Sequence, residues 1–143
     1  MMSKQTIRAK CLIALQKLAR IESANSNGYA ECVSCDPTDL SRWHYWKDMD
    51  GGHFIPKGSS SYWALERVNI HPQCKKCNAF GMKHGSAEVW YTIWMQNYYG
   101  EDFVEQMLRE KRNIKKLYKS DYEEILAETN SLIKHHEKRI GEC

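Results

Sequence analysis

The sequence predicts an α+β domain whose middle is organised by a bound metal rather than by a large apolar core. Three observations carry this. Apolar residues keep a helical period near the start. A central stretch rich in Gly, Pro and Ser loses that period and holds two Cys-x-x-Cys pairs. The helical period then returns to the end of the chain. At 143 residues, 42% apolar and 27% charged, the chain suits one compact domain with a real core. Its expected segments are an N-terminal helix over residues 1–28, a zinc-bound centre over 29–85 and a C-terminal helical region over 86–143.

The first helix is expected from about Lys4 to Glu22. Ile7, Cys11, Ala14, Leu15 and Leu18 recur at three- and four-residue steps, which leaves Lys10, Lys17 and Arg20 to solvent. Asn25-Ser26-Asn27-Gly28 is a stop-and-turn signal. From Tyr29 to about Gly85 the pattern predicts short strands and loops. Ser86 is placed to cap a helix whose apolar face carries Val89, Trp90, Ile93, Trp94 and Tyr98, and Gly100 ends it. Phe103, Val104, Met107 and Leu108 mark a second short helix. Ser120-Asp121-Tyr122-Glu123 reads as a capping box, opening a helix with Ile125, Leu126, Leu132, Ile133 and Ile140 on its inner face. Trp90 and Trp94 keep helical spacing and read as core anchors.

Cys32-Val33-Ser34-Cys35 and Cys74-Lys75-Lys76-Cys77 each set two thiols on one tight turn. Two such knuckles complete a closed four-thiolate zinc site of the structural kind. The N-terminus carries no export signal and nothing approaches the length of a membrane span, so a reducing cytoplasm is expected, where paired cysteines are metal ligands more often than disulfides. No βαβ setting supports a redox pair. Cys11 reads as a core residue and Cys143 as a free terminal thiol.

The formal net charge is +3, and four thiolates with one Zn²⁺ would bring it to about +1. Overall charge therefore does not argue for nucleic acid. Local charge does: Arg109, Lys111, Arg112, Lys115, Lys116 and Lys119 crowd one stretch with only Glu110 against them. Such a cluster attracts phosphates, although a solvated helix end has the same composition.

Between the knuckles lies Asp50-Gly51-Gly52-His53-Phe54-Ile55-Pro56, and the second knuckle runs from Asn69-Ile70-His71-Pro72-Gln73 into Asn78. Phosphodiester hydrolysis needs an activated water and a cation against the developing negative charge. A neutral histidine can accept the water's proton near neutral pH. Magnesium keeps most of its waters and needs few protein oxygens, so one asparagine side chain with the scissile phosphate can suffice.

His53, Asn69 and Asn78, set among these cysteines, resemble the His-Asn-His (HNH) nuclease motif in its ββα-metal form. Cys74-Lys75-Lys76-Cys77-Asn78-Ala79, continuing through Gly81-Met82-Lys83-His84, is similar to phage endonuclease VII, a Holliday-junction resolvase. Gly52-His53-Phe54, Asn69 to Cys74, and Tyr98-Tyr99-Gly100-Glu101-Asp102-Phe103-Val104-Glu105 resemble the lambdoid phage NinG/Rap recombination nucleases. The resemblance implies a ββα-metal core flanked by helices. It gives His53 the role of general base. Asn69 becomes the loop asparagine that keeps the imidazole oriented, and Asn78 a ligand of Mg²⁺ or Mn²⁺. Cys32, Cys35, Cys74 and Cys77 become the structural zinc ligands. Lys83 and His84 fall near a phosphate-contacting patch of the endonuclease VII relatives.

Many relatives have a metal-binding Asp directly before the catalytic His, where this chain has Gly52. Two readings follow: Asn78 serves as the single protein ligand, or Asp50 supplies a second. Arg67 is a candidate for phosphate contact or for a surface salt bridge. His71 reads as a packing residue, and His135 and His136 as surface. His44, Trp43, Tyr45 and Trp46 form an aromatic cluster that could meet DNA or cover the zinc site. The function expected is a DNA endonuclease selective for branched or Holliday-junction DNA in phage recombination, acting as a homodimer away from any membrane. Two alternatives stay open: a zinc-organised nucleic-acid-binding module without cleavage, and an HNH nuclease acting on ordinary duplex.

Overall fold

The computed structural model describes residues 2–141. Helix α1 spans Lys4–Glu22, as its apolar period predicts. The Ser3 hydroxyl accepts from the Thr6 N–H at 3.2 Å and so satisfies one orphan donor of the first turn. Gly28 turns the chain at φ +87°, a conformation suited to glycine. Strands β1 (Tyr29–Glu31) and β2 (Trp43–Tyr45) pair antiparallel.

Strands β3 (Met49–His53) and β4 (Ile70–Cys74) form a second antiparallel pair, with Asp50 opposite Gln73, Gly52 opposite His71 and His53 opposite Ile70. Alternation along β3 turns Met49 and Gly51 toward α1 and turns Asp50 and Gly52 to the other face. A Cβ on Gly51 would lie 2.4 Å from the Gln16 carbonyl oxygen, so only glycine lets β3 rest backbone-to-backbone on α1. Directly after β4 the chain turns helical: a π-helical turn at Cys77–Gly81 leads into α2 (Met82–His84).

Three helices follow: α3 (Ala87–Tyr99), α4 (Glu101–Glu110) and α5 (Lys119–Arg139). Helix α5 lies parallel to α1. Tyr122 packs on Ile7 and Cys11 at one end. At the other, the Arg139 guanidinium donates to the carbonyls of Ile21 and Ala24 at 3.1 and 2.9 Å. Those carbonyls lie in and just after the last turn of α1, where a cation also complements the helix dipole. Cys11 is fully buried and its thiol donates to the Tyr122 carbonyl, as a core cysteine should. Cys143 lies outside the described residues.

Several expected details shift. The residues of α3 that are buried are Ala87, Tyr91 and Met95, while Val89, Ile93 and Tyr98 are exposed and Trp90 and Trp94 only half-buried. The anchor is therefore Tyr91, fixed because its hydroxyl donates to the Gly52 carbonyl at 2.8 Å. Ser86 sits at the N-cap without a side-chain cap bond. Helix α5 begins one residue before Ser120, and Asp121 caps it by accepting from the Tyr118 N–H at 2.7 Å. In α4, Val104 and Met107 are buried but Leu108 faces solvent. The middle of the chain is also less dependent on metal than its composition suggests. Cys32 and Cys74 pack in one apolar cluster with Leu18, Ala30, Trp46 and Met49. Phe54, Trp63, Tyr91, Met95, Val104 and Met107 form a second cluster across the loop from β3 to β4. Among the described residues no helix is long and apolar enough to cross a membrane.

Candidate active site and metal centre

The four cysteines of the two knuckles converge. Their sulfur atoms all lie within 4.8 Å of one another. Cys35 Sγ is 3.9 Å from Cys74 Sγ and 3.7 Å from Cys77 Sγ. A tetrahedron with zinc–sulfur bonds of about 2.3 Å has edges of about 3.8 Å, and a disulfide would need sulfurs about 2.05 Å apart. The donor set thus fits zinc. The first knuckle is carried by the turn after β1, whose Val33 N–H donates to the Pro72 carbonyl at 3.0 Å. The second spans the end of β4 and the start of the helical segment. The Cys74 N–H donates to Cys32 Sγ at 3.1 Å, the amide-to-thiolate bond that a knuckle uses. Burial and the neighbouring sulfurs push the Cys35 thiol up to about 12 and raise Cys77 as well. Four thiolates this close call for a cation to offset their charge.

His53 closes β3. Its Nε2 is 2.8 Å from the Ala64 carbonyl oxygen. A carbonyl only accepts, so the neutral ring carries its proton on Nε2 and its lone pair on Nδ1. Burial lowers the His53 pKa; the Ala64 bond opposes this, and the charges of Lys57 and Arg8 add to the lowering. The imidazole is therefore neutral at pH 7, the form that a proton acceptor requires.

Asn69 explains why Ala64 is in place. It is fully buried. Its Oδ1 accepts from the Ile55 N–H at 2.8 Å, and its Nδ2 donates to the carbonyls of Ile55 and Trp63 at 2.9 and 3.2 Å. One side chain so ties both limbs of the loop that presents Ala64 to His53.

Asn78 lies on the other face of β3, in the π-helical turn. Its Nδ2 donates to Asp50 Oδ2 at 3.1 Å, and Lys75 Nζ pairs with Asp50 Oδ1 at 3.0 Å. The amide oxygen of Asn78 comes within 3.0 Å of the point where Gly52 would carry a Cβ. The structure thus brings Asp50, Gly52 and Asn78 together, with His53 the next residue along the strand. Asp50 meets the amide nitrogen of Asn78, which fixes which way that amide points.

The other predicted positions divide. Arg67 pairs with Glu22, the surface salt bridge rather than a site contact. Lys115 pairs with Glu66 at 2.6 Å, and Arg109 with Glu105 one turn before it on α4. Lys116 stands over the Tyr118 ring. Lys83 and His84 are exposed at the end of the helical segment, where the His84 ring rests on Phe80. His71 is buried against Tyr91, Trp94 and Tyr99 and bonds the Val68 carbonyl; burial holds its pKa down at about 4. The aromatic cluster splits: Trp46 is core, Trp43 is exposed beside Arg42, and His44 lines a cleft with Cys35, Cys77, Phe80 and Trp90.

One residue escaped the sequence reading. Gln73, opposite Asp50, is fully buried, and its Oε1 occupies the space in front of Gly52. The available signal was faint: a glutamine between Pro72 and the knuckle residue Cys74.

Comparison with known proteins agrees with this layout in one respect. No curated protein and no solved structure gives a significant match. A family model does: that of the bacteriophage lambda NinG protein matches residues 8–139. The match takes in α1 from Arg8 onward, both knuckles, the β3–β4 pair and all of α5, and so the chain belongs to the NinG family, a family of phage recombination.

Proposed function

We propose that this protein is a metal-dependent HNH-type DNA endonuclease that acts on branched DNA in phage recombination. One observation carries the reading. The His53 ring is neutral, held by Nε2 on the Ala64 carbonyl, and set one residue from the Gly52–Asn78 contact. A neutral imidazole whose lone pair is held in one direction is what a general base requires.

In this reading His53 accepts the proton of the attacking water on Nδ1, and the Ala64 carbonyl stabilises the imidazolium through the Nε2 proton. Asn69 keeps that carbonyl in position. Asn78 Oδ1 binds Mg²⁺ or Mn²⁺, with Asp50 holding the Asn78 amide in the right sense. The cation, when bound, would neutralise phosphate charge in the transition state. The cysteine site takes no part in the chemistry; it fixes β4 and the helical segment relative to β1. Lys83, His84, Lys115 and Lys116 are proposed DNA contacts. Two coordinated cuts in a junction would call for a symmetric pair of chains.

The test is cleavage of a four-way junction with Mg²⁺ or Mn²⁺, alongside nicked, single-stranded and linear duplex DNA. Wild type should cut the junction fastest, and His53→Ala should lose at least a hundredfold. Equal cutting of linear duplex would make it a general HNH nuclease. Junction binding with no cutting above His53→Ala would leave a zinc-organised binding module.

A further inference from the structure

We infer that the Gln73 side-chain oxygen is a second protein ligand for the divalent cation, in place of the acid that Gly52 lacks. The inference rests on the nuclease reading above and deepens it.

A buried amide needs partners at both ends. Gln73 is fully buried, and its Nε2 donates to Ser34 Oγ at 2.7 Å. Its Oε1 is buried with no hydrogen-bond partner. That oxygen reaches across β3 to within 1.5 Å of the point where Gly52 would carry a Cβ, and Asn78 Oδ1 lies 3.0 Å from the same point. The Asn78 amide is not turned this way by chance, since its nitrogen is engaged by Asp50. Two amide oxygens therefore converge in front of Gly52. Their negative ends repel unless a proton donor or a cation stands between them, and a hard dication prefers oxygens of this kind.

Gly52 then has a physical reason. Any side chain there would displace Gln73 Oε1. The second oxygen comes from β4, from Gln73 opposite Asp50, and the glycine before His53 leaves room for it. Two neutral amides bind a dication weakly, so a DNA phosphate is needed to complete its coordination.

The experiment is Mn²⁺ titration of the full, zinc-loaded chain with a short duplex present, followed by electron paramagnetic resonance of free Mn²⁺. Gln73→Glu should bind Mn²⁺ at least tenfold more tightly than wild type, because a charge is added to the ligand. Gln73→Leu and Gly52→Ala should each bind at least tenfold more weakly with zinc content unchanged. Wild-type affinity in Gln73→Leu, or no gain in Gln73→Glu, overturns the inference. If Gln73→Leu fails to fold, as lost zinc would reveal, Gln73→Glu decides. If Asn78→Ala weakens Mn²⁺ while the Gln73 variants do not, Gln73 only braces Asn78 and the nuclease reading stands. If wild type takes up no Mn²⁺, or Asn78→Ala leaves uptake intact, both ideas fall together.

Discussion

Replacing Asn69 with alanine should damage the fold and the His53 ring together. The side chain makes three buried hydrogen bonds, two of them to Ile55 and one to Trp63. Each contributes about 1 kcal/mol net, and a buried partner left unsatisfied costs about 1–3 kcal/mol. Asn69→Ala strands one N–H and two carbonyls, so a loss of about 3–5 kcal/mol is expected. For a chain of 143 residues that is a fall in Tm of roughly 10–17 °C. Urea unfolding measures the first quantity. The second is read by ¹⁵N NMR of His53: in wild type the proton sits on Nε2, and in the variant the Ala64 carbonyl is released, the tautomers mix and the pKa falls further, because the bond that opposed the lowering is gone. Cleavage should fall with the tautomer even at temperatures where the variant is folded. A destabilisation under 1 kcal/mol with an unchanged His53 spectrum would refute the claim that Asn69 holds the loop and the loop holds the imidazole.

Further outcomes follow from the same geometry. Cys74→Ser should release zinc and cost several kcal/mol, because the same residue sits in the apolar cluster with Trp46 and Met49; zinc content and melting check it. Gly51→Ala should destabilise by about 1–3 kcal/mol, since its Cβ would strike the backbone of Gln16, which has no rotamer to yield. His71 should make the fold acid-sensitive. Its folded pKa of about 4 lies below the unfolded value near 6.5. The contribution is complete above that unfolded value and drains away as pH falls toward 4, about 3 kcal/mol in all; His71→Phe should flatten the decline in a urea series. Lys115→Glu with Lys116→Glu should weaken DNA binding and reduce its salt slope by about 2. The lost Lys115–Glu66 pair is half-exposed and should barely change Tm.

The sequence made some of this legible and hid the rest for identifiable reasons. The bounds of α1 follow from a clean apolar stripe with Ser3 before it, and the cysteine cluster from spacing alone. Asn69 stood out through the motif, but its bonds to Ile55 and Trp63 join chain positions that no local pattern links. Helix α3 was misread because Ala87, Tyr91 and Met95 compete with Trp90, Trp94 and Tyr98, two apolar stripes of the same period. The choice was made by Tyr91 reaching the Gly52 carbonyl, a contact across 39 positions that no local pattern contains. Arg67 carried charge suited to phosphate, but Glu22 at the end of α1 comes close only in the folded chain. Gly52 has a packing reason that its sequence neighbours do not show: Gln73 Oε1 lies where its Cβ would be.

The parallel seating of α5 on α1 sets an order for biosynthesis. The cysteine site needs nothing beyond Cys77, so a nascent chain can capture a metal before α3, α4 and α5 are made. Cys11 waits for Tyr122, 111 positions later, before its face of α1 is covered. A ribosome-bound chain stalled near Lys119 should hold metal while the side of α1 that α5 covers stays open to protease and to chaperones, and that side should close only once α5 has left the ribosome.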